Sequence, residues 1–447
     1  MSQELKQNLT QGSVAKHLLA LGFPMLLAFA ANLSYDLADT FYISKLGNDA
    51  LIAMGFVNPV IFILLNIAVG FHVGLNSVLS RLIGQKANST AAHLATATLV
   101  ASLILGLIIA VLGVFTTSSL FSALGAKGEV LRYIVKYMQY VYPAIGVRFA
   151  VLTLMAVFLA NGFTLFSGLT IVLSSLINIA IDPIFIFGWK FIPALGIEGA
   201  GLVNLISNLA IFSVLAYSAS RRKILFPSKF LDSNVFDNKM FALLKNVTKI
   251  ALPAAFANAT APLAQTIINK PLSAINPAFV AGFDMGYKIH FFSLMPVLAL
   301  SSVLGPIVGQ NLGAGKLERV REAIVKSFQW SFGFCVLIFI YFCFASDVSV
   351  RIFSANIDTL HFAISYLQIV APTLFGFSFT MILAAAHDAA GHPYRSLGLI
   401  AFRSIAVFVV GTFICLQFFG AGSLQWWMAI ANLVAAATSY WSFKKYF

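Results

Sequence analysis

Twelve apolar stretches of membrane-spanning length follow one another along this chain, centred near residues 28, 63, 104, 150, 175, 209, 258, 297, 334, 374, 405 and 432. A bilayer core takes about 20 residues of α-helix, and within it every backbone N–H and C=O must be satisfied, which only helices and closed barrels achieve. The runs are continuous rather than alternating, so helices are expected. Composition agrees: of 447 residues, 60% are hydrophobic and 10% charged, where a soluble domain carries about 25% charged residues. The first run is long and no small-residue cleavage pattern follows it, so it reads as a span and not as a signal peptide. The fold class expected is an all-α polytopic membrane protein of twelve transmembrane helices.

A net charge of +13 raises the question of nucleic acid, and the distribution answers it. With both termini in the cytoplasm, eighteen Lys and Arg fall on the inner side, seven on the outer side, and Arg148, Lys288 and Arg403 within spans. That asymmetry is the positive-inside pattern of a plasma (inner) membrane protein, and no nucleic-acid partner is expected. Cys335, Cys343 and Cys415 lie in apolar runs without ligand spacing, so they read as small buried side chains.

The longest polar interval, RRKILFPSKFLDSNVFDNK at 221–239, sits near the midpoint. It divides the chain into an N-terminal six-helix lobe (1–220), a cytoplasmic linker (221–240) and a C-terminal six-helix lobe (241–447). The halves carry a weak repeat: Pro24 and Pro253 stand in the first span of each, and Gly84-Gln85 and Gly309-Gln310 close the second. Proline and glycine are 60 residues apart in the first half and 56 in the second. Parallel repeats of six spans are a transporter architecture.

Ionisable groups inside a bilayer are costly, and their default reading is an ion, proton or substrate site. In LSYDLADTFYISKLG, residues 33–47, Asp36 and Asp39 are one helical turn apart, on roughly the same side of the helix. Two carboxylates cannot easily both stay ionised there, so one is expected to hold a proton near neutral pH; the competing reading makes Asp36 or Asp39 a hydrated group near the outer interface. Asp182 follows Asn178 by four residues and precedes Pro183, which frees the carbonyl of Ile179. Acid, amide and carbonyl within one turn suit H+ or Na+, with Asp39, Asp182 and Asn178 as the Na+ set. In the second half Asp284 and Lys288 at i,i+4 read as a structural pair. Asn258, Gln265 and Asn269 share one helical face, where they either line a substrate cleft or tie helices together. Phe375, Phe377, Trp426 and Trp427 are plausible apolar contributors to a cleft, the tryptophans equally as interfacial anchors.

LADTFYISKLG at 37–47, IDPIFIFG at 181–188, LGIEGAGLVN at 195–204 and VGQNLGAGK at 308–316 resemble the multidrug and toxic compound extrusion (MATE) family, in order and across both halves. The resemblance implies two six-helix bundles around a cleft, exporting cationic or amphipathic organic compounds in exchange for H+ or Na+. It implies Asp39 and Asp182 as coupling acids with Asn178 beside them, Tyr35, Asn204 and Thr153 as supporting groups, and Pro24 as the point where the first helix bends. Asn204 falls where many relatives have threonine. Asp36 stands where they more often show asparagine, and its added acid favours H+ over Na+. Acids confined to the first half resemble the DinF-like branch. A monomer is expected, with small organic compounds and lipid as partners and no cofactor. The alternative is a flippase for lipid-linked oligosaccharides, which calls for a more basic cleft. An enzyme is not expected, since no metal motif, nucleophile elbow or phosphate loop is present.

Overall fold

The computed structural model describes residues 8–225, 237–351, 356–420 and 422–447. Most of the interval read as a linker therefore lies outside the described residues. Among those described, twelve helical segments succeed one another and no strand forms beyond the isolated bridge Trp189–Ile192. They are α1 (Val14–Ser44), α2 (Asn48–Gly84), α3 (Asn88–Ala123), α4 (Gly128–Ala160), α5 (Thr164–Phe187) and α6 (Ile197–Arg221), then α7 (Asn238–Ile275), the pair α8 (Pro277–Ser293) and α9 (Met295–Gly313), and α10 (Leu317–Arg351). The tenth segment is the pair α11 (Ile357–Val370) and α12 (Leu374–Ala389), the eleventh the pair α13 (Pro393–Ala401) and α14 (Val410–Phe419), and the twelfth α15 (Ser423–Tyr446). Among the described residues eleven helices are long and apolar enough to cross a membrane. α15 has the length, but Gln425, Asn432 and its Ser, Tyr and Trp residues dilute its apolar character.

Among the described residues three spans are interrupted, each for a local reason. Pro296 opens α9 after a break at Leu294, and Pro372 sits in the 3-10 turn Ala371–Thr373 that separates α11 from α12. Between α13 and α14 the chain widens into a π-helical turn, Phe402–Val409, and the indole of Trp427 donates to the Val407 carbonyl there at 2.7 Å. A π turn leaves carbonyls misaligned, and such side-chain donors satisfy them.

The chain forms two compact units. The first comprises residues 1–8 and 23–255, the second residues 9–22 and 256–447. Each half's opening helix therefore changes unit within a turn of its repeat proline: α1 between Gly22 and Phe23, beside Pro24, and α7 between Ala255 and Phe256, just after Pro253. In the second unit the turn before α1 is held by the α9–α10 connection. Asn311 Nδ2 donates to the Leu9 carbonyl at 3.1 Å, Lys316 Nζ to Thr10 at 2.8 Å and Arg319 Nη1 to Gly12 at 2.9 Å. These residues belong to or adjoin VGQNLGAGK, so part of that stretch is an anchor for backbone carbonyls.

In the first unit α4 is the most deeply buried span. One core cluster gathers Leu75, Leu94, Leu154, Phe158 and Leu215, another Ile43, Val57, Phe121, Tyr137 and Phe149. Helix backbones in lipid associate where side chains are small. At Gly168 on α5 an added Cβ would lie 2.6 Å from the Pro24 carbonyl, so the proline of α1 is seated directly on α5. α5 ends at Gly188, whose φ of 81° is a left-handed conformation natural to glycine. The second unit has an aromatic core that includes Phe283, Tyr366, Phe377 and Phe408.

Of the three cysteines, Cys335 is buried, Cys415 half-buried and Cys343 exposed. The reading of all three as buried is thus corrected: on a membrane helix an apolar residue is equally stable facing lipid, so an apolar run does not locate the core.

Candidate functional site

A cavity of about 270 Å³ lies inside the first unit, lined from both core clusters by Met54, Ile145, Met155 and Ile211. Its remaining wall is strongly polar. α1 supplies Asn32, Tyr35, Asp36 and Asp39, α4 supplies Tyr137 and Arg148, α5 supplies Ser174, Ser175 and Asn178, and α6 supplies Asn204, Ser207 and Asn208. Helical periodicity explains the set: Asn32, Asp36 and Asp39 repeat at four and three residues on α1, and on α6 Ser207 and Asn208 stand three and four residues after Asn204.

Hydrogen bonds fix this wall. Asn204 Nδ2 donates to the Tyr35 hydroxyl at 3.2 Å, and Asn208 Nδ2 donates to Asn204 Oδ1 at 2.9 Å. Ser207 Oγ donates to Asn178 Oδ1 at 3.0 Å, while Asn178 Nδ2 donates to the Ser174 carbonyl at 2.8 Å. The Asn178 amide is therefore spent on Ser174 and Ser207, not on Asp182 as the four-residue spacing suggests. Both Asp182 oxygens are buried without a hydrogen-bond partner among the described residues, and the side chain is 1% exposed. A carboxylate in that setting is sustained as an anion only by a donor or a cation; otherwise it carries a proton. Asp182 interacts electrostatically with Asp39, Tyr35 and Tyr137, so a change of charge on one acid is felt by the other.

Asp36 is the more exposed acid of α1 and accepts from Asn32 Nδ2 at 3.3 Å. Arg148, across the cavity on α4, interacts electrostatically with Asp36 and donates to Asn208 Oδ1 at 3.4 Å. Asp36 thus faces a base across the cavity. The Ile179 carbonyl freed by Pro183 accepts from the Tyr42 hydroxyl at 3.2 Å, and so is occupied by α1. Thr153 bonds Ser102 at 2.7 Å and the Phe149 carbonyl at 2.9 Å, and it is not among the cavity-lining residues.

The second-unit residues arrange themselves differently. Gln265 Nε2 and Asn269 Nδ2 donate to Asp284 Oδ1 at 2.7 and 3.4 Å. Lys288 is exposed and, among the described residues, makes no ion pair with Asp284, so the structural pair read from their spacing is replaced by amide solvation. Amides reach the carboxylate from the neighbouring helix without the desolvation that burial of an ammonium requires. Asn258 stands apart from this group on an exposed face of α7. Phe375 packs edge-on against Phe332 and Phe379 at 5.6 and 5.8 Å. Trp426 is 63% exposed, whereas Trp427 serves the π turn. Among the described residues no group of three or more His, Cys, Asp or Glu could hold a metal ion.

Spacing alone misses Tyr42, Tyr137, Ser207 and Asn208, and gives Arg148 no role. The four-residue step from Asn204 to Asn208, on a span otherwise apolar, was the available signal for α6.

Twelve helical segments, a polar cavity inside a lipid-facing unit and buried carboxylates define a membrane transport protein. The MatE family profile matches residues 24–184 and 253–414, once in each half, and the chain belongs to that family. It is a multi-pass membrane transporter, not an enzyme. An FAD transporter of Shewanella oneidensis is 31% identical, over 98% of this chain and 96% of that protein. The multidrug export protein MepA of Staphylococcus haemolyticus is 24% identical, over 95% and 92%. The crystal structure of the Vibrio cholerae MATE transporter VcmN in its bent form superimposes with a TM-score of 0.90 at 26% identity, covering 98% of each chain.

Proposed function

We propose that this transporter is a secondary active antiporter that exports cationic or amphipathic organic compounds in exchange for H+, with Asp39 and Asp182 as the coupling acids. The observation that carries the reading is Asp39 in the wall of the first-unit cavity, electrostatically linked to an unpartnered, buried Asp182. With Asp39 ionised the cavity attracts cations; a proton on Asp39 or Asp182 removes that attraction. Na+ would be held by Asp39, Asp182 and Asn178 Oδ1, but the latter already accepts from Ser207, which favours H+.

α1 carries Asp39 in the first unit and changes unit beside Pro24, which rests on Gly168 of α5, the helix that bears Asp182. A change of bend at Pro24 would transmit the state of the acids along one helix, supported by Tyr35, Asn204 and the Tyr42–Ile179 contact. For this to drive transport, H+ must bind one conformation better than the other, since equal affinity shifts nothing. The reading includes the six-plus-six division at 221–240, cytoplasmic termini in the inner membrane, a monomer and a DinF-like placement.

A second reading concerns the cargo alone. Arg148 beside the cavity and the relative named an FAD transporter favour an anionic, nucleotide-like compound. The test of the coupling reading is exchange in proteoliposomes, with a fluorescent organic cation and pH and Na+ gradients imposed separately. Asp39→Asn is expected to lower proton-driven exchange at least ~10-fold, as loss of a step-specific interaction does. Exchange at the wild-type rate in that variant overturns the reading.

A further inference from the structure

The second unit buries an ionic group that proton exchange does not use. Arg403, in the π-helical turn, is 5% exposed. Its Nε and Nη2 donate to Asn432 Oδ1 at 3.2 and 2.9 Å, and its guanidinium lies 4.6 Å from the centroid of the Phe377 ring. Asn432 is itself anchored, donating through Nδ2 to Thr373 Oγ1 at 3.2 Å in the 3-10 turn. Tyr287, Tyr366 and His290 are the titratable groups that interact with the arginine, and His290 Nδ1 is bonded to the Tyr366 hydroxyl at 2.9 Å.

No carboxylate among the described residues pairs with Arg403, and its Nη1 makes no hydrogen bond to them. A guanidinium stays charged at every physiological pH, and an amide oxygen and a ring face orient it without neutralising it. Buried charge at membrane depth is normally paired, and an unpaired one marks a ligand's place. Asn432 accepts from one edge of the fork and leaves the other free.

We propose that Arg403 is an anion-recognition group in the second unit, receiving a phosphate or carboxylate of an amphipathic compound through Nη1 while the surrounding aromatic rings pack against its planar part. This deepens the second reading of the cargo and rests on it for its physiological role. The acids of the first unit answer to protons; Arg403 answers to the charge of the cargo and is indifferent to pH.

Equilibrium binding to the purified, detergent-solubilised protein tests this without transport. Riboflavin and flavin mononucleotide share one ring system and differ by one phosphate. Flavin fluorescence is expected to report at least ~10-fold tighter binding of the mononucleotide, the effect of a charge-assisted hydrogen bond. In Arg403→Gln the ratio should fall to about one with riboflavin affinity retained. Asn432→Asp keeps the guanidinium but gives it an internal counter-charge, and should abolish the preference too, which keeps the test decisive if Arg403→Gln fails to fold. Equal affinities in the wild-type protein, or a preference that survives either variant, overturn the proposal. So does a preference lost only in Arg148→Gln, which would put the anion in the first unit. Proton-driven cation exchange is a separate readout, so failure of the coupling reading and failure of this one are told apart.

Discussion

The two units descend through the same order of helices, each entered beside a proline, yet they handle buried charge in opposite ways. The first places Asp36, Asp39 and Arg148 around a polar cavity and buries Asp182 without a donor. The second surrounds Asp284 with amides and sets Arg403 in an aromatic core against Asn432 and Phe377. Carboxylates in poor solvation change charge when a proton arrives; a guanidinium does not. On the proposed coupling and cargo readings, one unit would switch its charge and the other would hold a fixed one. A shared fold therefore does not imply a shared role, because the role lives in a few side chains grafted on it.

Removing one acid from each unit tests that difference most severely. Asp182→Asn should reduce proton-driven exchange at least ~10-fold, since it deletes a titrating group from the coupled pair. Asp284→Asn should retain exchange within about twofold, because Gln265 and Asn269 can turn their amides to bond an amide oxygen as they do a carboxylate. Both are read as initial rates in proteoliposomes at matched protein content. Comparable losses in the two variants would break the comparison, placing a coupling acid in each unit.

A smaller effect is expected at Asp36. Its charge faces Arg148 across the cavity, and Asp39 responds to it. Replacing Asp36 with Asn removes a nearby anion and leaves Arg148 uncompensated, so a proton is held less firmly in the cavity. The pH of half-maximal exchange should fall, by about one unit at most, with the maximal rate largely preserved. A profile that moves to higher pH, or does not move, would return Asp36 to the role of a hydrated neighbour.

Much of this was legible in the residues because the bilayer is a severe solvent. It requires long apolar helices, and the twelve runs reappear as twelve helical segments centred close to where the runs are centred. It also makes each intramembrane acid conspicuous, and Asp36 and Asp39 line one cavity. What stayed hidden depends on partners remote in sequence. Four-residue spacing brought Asn178 near Asp182 but could not show that Ser207, 29 positions further along, would engage the amide. Likewise Asp284 and Lys288 satisfied a helical pairing rule, while α7 offered better solvation. The π turn at 402–409 has no proline to announce it, and its side-chain donor, Trp427, comes from α15.

The contact between Tyr42 and Ile179 sharpens the comparison at its smallest scale. Pro183 leaves the Ile179 carbonyl without a helical donor, and the Tyr42 hydroxyl, 137 positions earlier, supplies one at 3.2 Å. This ties the end of α1 that bears Asp39 to the span that bears Asp182. Tyr42→Phe removes the donor and leaves a half-buried acceptor unsatisfied, a cost of about 1 kcal/mol. If α1 moves during exchange, that cost falls on the conformation in which the contact is made. The variant should then change the exchange rate by about two- to fivefold while lowering thermal stability slightly, measured by proteoliposome flux and by unfolding of the purified protein. Loss of stability with no change in flux would show that the contact persists through the whole cycle, so that α1 and α5 move together at this level and the switch is confined to the segment nearer Pro24.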